Sequence, residues 1–188
     1  MNFVPVGPGD AFVIDAGTVH AIGAGVTLVE PQFVAPGRRG ITYRFWDWNR
    51  RYDAQGRRDP AGQPRALHVA RSLAVTDWTR GTGDGFVASC RAAAVILSDG
   101  AVTRTRVIDW PWFSSERWQG TGTCVVPAMG TMLALTAVAG EAAIETASGA
   151  VNLRRGQSAV VPERAGPMTV VARGLDLIAT YSPVTAPA

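Results

Sequence analysis

With 188 residues, 47% of them hydrophobic and 18% charged, the chain has an ordinary globular composition and is long enough to bury a core in one large or two small domains. No run of about 18 apolar residues is available to span a membrane, and the start MNFVPVGPGD lacks the basic and apolar regions of a secretory signal, so the expected compartment is the cytoplasm. All 18 basic residues are arginine, which excludes a lysine Schiff base, and a net charge of +3 with interleaved acids leaves no nucleic-acid footprint.

The 21 glycines and 12 prolines divide the chain into short apolar runs, the pattern of many short strands joined by tight turns. Residues 11–15 (AFVID) and 26–30 (VTLVE) read as strands on either side of a glycine turn around His20. With a period of two, Val26, Leu28 and Glu30 share a face, which predicts that the carboxylate points into a barrel. A loop from Pro31 to Gly40 leads to a third predicted strand, 41–48 (ITYRFWDW), with Thr42, Arg44, Trp46 and Trp48 on one side. Residues 49–66 are polar and turn-rich, an extended connection without a core, and 67–78 has the spacing of a short helix.

After Trp78, TRGTGDG (79–85) reads as a linker or turn. Strand-like runs then follow at 86–90, 93–97, 101–108, 123–126, 131–138, 142–146, 150–153, 157–161, 168–172 and 175–181. Turns are predicted at Asp99-Gly100, Ser148-Gly149, Arg155-Gly156 and Arg173-Gly174. So many short strands at close spacing indicate a sandwich or jelly roll. Cys90 and Cys124 have no Cys-x-x-Cys partner and read as free thiols.

Gly9, five residues, Asp15-Ala16-Gly17, two residues and His20 follow the spacing of the second metal-binding motif of cupin barrels. The words AGTVHAIG, LVEPQ and TYRFWDWNRR, in that order, resemble the active-site half of class I mannose-6-phosphate isomerases. The resemblance implies an all-β fold of cupin-type jelly-roll barrels. Residues 1–80 would form part of a catalytic barrel with its connecting helix, and 81–188 a second barrel. In the latter, Gly156 and Pro162 echo the motif without a histidine, so that barrel is expected to be structural.

By the same resemblance the activity is the interconversion of mannose 6-phosphate and fructose 6-phosphate with Zn2+. His20 is the implied metal ligand, Glu30 lies beside the metal, and Arg44 reaches the phosphosugar as the candidate for enediolate stabilisation or proton handling. The residues alone leave open an ion pair between Glu30 and Arg44, and a packing or surface role for His68. The loop FVAPGRRG lengthens the spacer between Glu30 and Arg44 and makes Arg38 and Arg39 available to a phosphate.

The family's Gln-x-His pair, its ligating Glu and its catalytic lysine have no counterpart after Met1, and three protein ligands are the usual minimum for catalytic zinc. The chain is therefore expected to be a C-terminal portion, inactive alone, whose partner is a separate chain carrying the missing barrel strands. The alternative is a non-catalytic cupin module that binds a sugar or a protein.

Overall fold

The computed structural model describes residues 2–34, Gly37 and 42–183. Its backbone groups into two compact units: one of Met1–Val13, Ala24–Phe33 and Thr82–Ala188, the other of Ile14–Gly23 and Val34–Gly81. Arg38, Arg39 and the start of the predicted 41–48 strand lie outside the described residues.

The smaller unit has little regular structure. Strands β1 (Arg51–Tyr52) and β2 (Gln63–Pro64) make a two-residue antiparallel ladder. Their connection is held by aspartate turns. The Asp53 carboxylate accepts from the amides of Gln55 and Arg57, each at 2.9 Å, and that of Asp59 accepts from Ala61 at 2.9 Å. Helix α1 (Val69–Val75) follows inside the predicted 67–78 span. The 42–48 segment is not a strand: Trp48 and Asn49 take φ of 56° and 51°, turning the chain so that the Arg50 amide donates to the Asp47 carbonyl at 3.0 Å.

The larger unit holds helix α2 (Gly83–Cys90) and strands β3 (Val95–Ser98), β4 (Val102–Asp109), β5 (Ser114–Val126), β6 (Leu133–Thr146), β7 (Gly149–Arg154), β8 (Ser158–Val161) and β9 (Met168–Tyr181). A short 3-10 turn, Glu163–Ala165, separates β8 from β9. All pairings are antiparallel, in the order β3-β4-β5-β9-β6-β7, with β8 also on β6. Strand β9 is the centre: β5 and β6 flank it along almost its whole length.

The core comes from one face of this sheet. Trp118, Val126, Leu135, Ile144, Leu153, Val170 and Leu177 are all buried, and every one lies on a strand. With no α-helix among the core members of the described residues, the sheet covers its own apolar face by curling on itself, as a jelly roll does.

The expected pairs 131–138/142–146 and 168–172/175–181 are two continuous strands, β6 and β9, each bent by bulges. On β6 the buried positions run Leu133, Leu135, Ala137 and then Ala142, Ile144; on β9 they run Met168, Val170, Ala172 and then Leu175, Leu177, Ala179. The change of parity coincides with register shifts at Ala137/Ala139 and Ala139/Glu141. An extra residue in a ladder turns the alternation to the other face, so apolar side chains stay inside while the strand bends. Arg173-Gly174, expected to be a turn, is part of this device. Gly140 opposes it at φ 64°, and a Cβ there would lie 2.1 Å from the Gly174 carbonyl oxygen.

Residues 86–90 belong to helix α2 rather than to a strand, a short apolar run that periodicity alone cannot assign. Asp84 in its first turn suits the helix dipole. Of the predicted 11–15 strand, one antiparallel bridge remains among the described residues, Phe12 to Arg91, and 26–30 has no ladder with any of them.

Candidate functional site

The turn carrying His20 is built by small residues and locked from behind. Gly17 takes φ 84°, and its carbonyl accepts from the Asp77 amide at 3.0 Å. Asp15 pairs with Arg80 at 3.0 Å, and Arg80 also reaches Asp77 at 3.1 Å. The Asp77 carboxyl is held below its ordinary value by the Thr79 hydroxyl and amide together with Arg80, against a smaller opposing effect of burial. The His20 ring is exposed, with Nδ1 2.9 Å from the Thr18 carbonyl. With the proton on Nδ1 donated to that carbonyl, Nε2 presents its lone pair outward, the arrangement a metal-ligating imidazole uses.

Arg44 lies in the same unit and is half-buried. Its carbonyl accepts from the His68 amide at 2.9 Å, so the start of α1 fixes its backbone. Among the described residues its guanidinium enters no ion pair. Glu30, expected to point inward, is exposed, and Val26 and Leu28, its partners on the predicted face, are 38% and 47% exposed. Glu30 belongs to the larger unit and takes part in no ion pair among the described residues there.

Sequence reasoning passed over Asp47. It is 5% exposed, ion-paired to Arg50 through a short contact and 3.7 Å from Arg65. Burial pushes its pKa up, but the Arg50 hydrogen bond and the charges of Arg50, Arg65 and Arg44 outweigh that and hold it below the usual value. The signal was the three-residue spacing Asp47–Arg50 across a tight turn. Asp47 Oδ2, His68 Nδ1 and Ser72 Oγ are buried without a partner among the described residues, and buried polar atoms of this kind commonly hold water. His68, expected at the surface or in packing, is half-buried with its ring 5.9 Å from that of Tyr43.

Zinc, which the sequence resemblance implies, needs about three protein ligands. Among the described residues no group of three or more His, Cys, Asp or Glu is placed to hold a metal. The described residues therefore do not fit a zinc site by themselves.

The chain is 30% identical over 159 residues to the mannose-6-phosphate isomerase of Streptococcus mutans, an overlap of 85% of this chain and 44% of the relative. It is 26% identical over 161 residues to mannose-6-phosphate isomerase ManA of Bacillus subtilis, covering 85% of this chain and 45% of that one. This chain is related to the mannose-6-phosphate isomerases. Their fold is shared as well: a crystal structure of the Bacillus subtilis mannose 6-phosphate isomerase superposes with a TM-score of 0.56 at 19% identity, covering 73% of this chain and 39% of the other. The mostly β, antiparallel architecture is thus cupin-like. No family model matches. The chain spans less than half the length of the isomerase relatives it matches. Among the described residues no helix is long and apolar enough to cross a membrane.

Proposed function

We propose that this chain supplies the C-terminal portion of a cytoplasmic, zinc-dependent isomerase that interconverts mannose 6-phosphate and fructose 6-phosphate. The observation that carries the reading is the 30% identity to an isomerase over 85% of the chain. The reaction removes a proton from C2 of the open-chain aldose, leaves the C–H electron pair in an enediolate, and returns a proton to C1 as the ketose forms. Arg44, whose guanidinium is in no ion pair among the described residues, offers a positive charge to the enediolate oxygens. Arg44 is also the candidate for proton handling, and Glu30 is the carboxylate beside the metal. His20 contributes one imidazole to a metal centre whose other ligands lie outside this chain, and no step is derived through that metal.

The incomplete ligand set specifically favours a second reading, a non-catalytic module that binds a sugar or a protein. A coupled assay separates the two. The isolated chain with added zinc is expected to show no isomerisation, and a mixture with a polypeptide carrying the remaining barrel strands is expected to show it. Normal turnover by the isolated chain would overturn the partial-enzyme reading. A mixture that associates without turnover would favour the non-catalytic module.

A further inference from the structure

We infer that the outer edge of β3 is a docking edge that takes a β-strand from a second polypeptide, one equivalent to the portion of the isomerase relatives with no counterpart here; this rests on the reading above. Strand β3 ends the sheet and pairs with β4 on one side only. None of its four residues is buried: Val95, Ile96 and Leu97 are 47%, 65% and 42% exposed. The strand at the other end, β7, buries Leu153 and closes with the charge of Arg154. An edge with three consecutive aliphatic residues and no charge or proline lacks the devices that keep soluble edges apart, apart from a register shift near Leu97. In the same unit, 26–30 carries a strand alternation with no ladder partner among the described residues, and Val26, Leu28 and Val29 are 38%, 47% and 39% exposed.

Unpaired main-chain donors and acceptors beside aliphatic side chains are met by an extended apolar polypeptide, through strand addition. A second copy of this chain meeting β3 edge to edge would cover four residues and leave 26–30 without a ladder. The unmatched part of the Streptococcus mutans relative is more than half of that protein, long enough to serve both segments.

The probe is that unmatched portion, produced as a separate polypeptide and mixed with the full present chain. Strand addition uses main-chain groups, so a 30% identical relative is an adequate donor. Association is measured by light scattering on a sizing column and mapped by hydrogen–deuterium exchange. A 1:1 complex with new protection across Val95–Ser98 is expected. Ile96→Lys, which forces a charge into the new ladder, should weaken binding by about tenfold or more. Val160→Lys on β8, equally exposed but remote in strand order, should not. No complex, protection elsewhere, or the same protection arising from self-association would each overturn the inference. Turnover in the same mixture is scored separately: a protected β3 without isomerisation sinks the isomerase reading and leaves the docking edge, and isomerisation without protection of β3 does the reverse.

Discussion

Glu116 is a wholly buried carboxylate in the core of the larger unit, and its replacement by glutamine tests the physical account of that core. Its oxygens accept four hydrogen bonds: from Arg104 Nε at 2.9 Å and Nη2 at 3.0 Å, from Trp118 Nε1 at 2.7 Å, and from the Tyr181 hydroxyl at 2.8 Å. Arg104 is only 11% exposed and lies 5.4 Å from the centre of the Trp118 ring. All four bonds come from donors, so an amide fits badly. Turned toward Arg104 Nε and Trp118 Nε1, the amide NH2 meets two groups that can only donate; turned toward Arg104 Nη2 and Tyr181, it meets one such donor and a hydroxyl that must rotate to accept, and either way Arg104 keeps a buried charge without a counter-ion. Breaking a buried pair from one side costs about 3–5 kcal/mol, out of a total stability of about 5–15 kcal/mol.

With a urea dependence of about 1–3 kcal/mol per molar, Glu116→Gln should lower the unfolding midpoint by about 1–5 M, read by far-ultraviolet circular dichroism. Arg104→Met should be costly too, yet the double variant should be milder than the sum of the two, with a coupling of about 0.5–3 kcal/mol. Tyr181 gives a second readout. Burial, then the hydrogen bond to Glu116 and its charge, push the phenol up to about 12. In Glu116→Gln burial is the raising effect that persists, while the charges of Arg104 and Arg106 still lower the phenol, so the absorbance titration assigned by Tyr181→Phe should move down in pH. A glutamine variant within about 1 kcal/mol of the parent, or strictly additive single changes, would refute the claim that this network holds the core.

Two further outcomes follow from the same structure. The folded-state pKa of Asp77 is depressed, so its contribution is present above its ordinary value of 3.8 and is lost as pH falls through the lower folded value; an acid titration followed by circular dichroism should therefore show a shallower stability loss in that window for Asp77→Ala. Gly140→Ala should cost more than about 1 kcal/mol in urea melts, because it meets the Gly174 carbonyl and φ is 64°, whereas Gly85→Ala in α2, with open space around it, should stabilise by about 0.5–1 kcal/mol; equal responses would contradict the bulge account.

The sheet was legible because its strands alternate over a buried face, and 101–108, 150–153 and 157–161 fall on β4, β7 and β8. What alternation cannot distinguish is a turn from a bulge. Both break the period at a glycine, and only the partner strand decides whether the ladder resumes. Gly174 follows Arg173 within β9, and its amide donates to the Thr121 hydroxyl at 2.9 Å, so a side chain from β5 supports the bulge. The failure at 26–30 has the opposite cause. VTLVE has the intrinsic pattern of a strand, but a strand exists only against a neighbour, and no described residue provides one.

The same distinction governs the candidate site. The words around His20, Glu30 and Arg44 were readable as family resemblance because they are local strings, and the identity to known isomerases supports that resemblance. What holds the Arg44 backbone was not readable, since it depends on a residue distant in the chain. Its carbonyl is tied to His68, and the nearby acid Asp47 is occupied by Arg50. A carboxylate already committed to one arginine leaves the next with charge to offer. This gives a physical reason for two arginines six residues apart to differ: Arg50 closes a turn, and the Arg44 guanidinium stays out of any ion pair among the described residues.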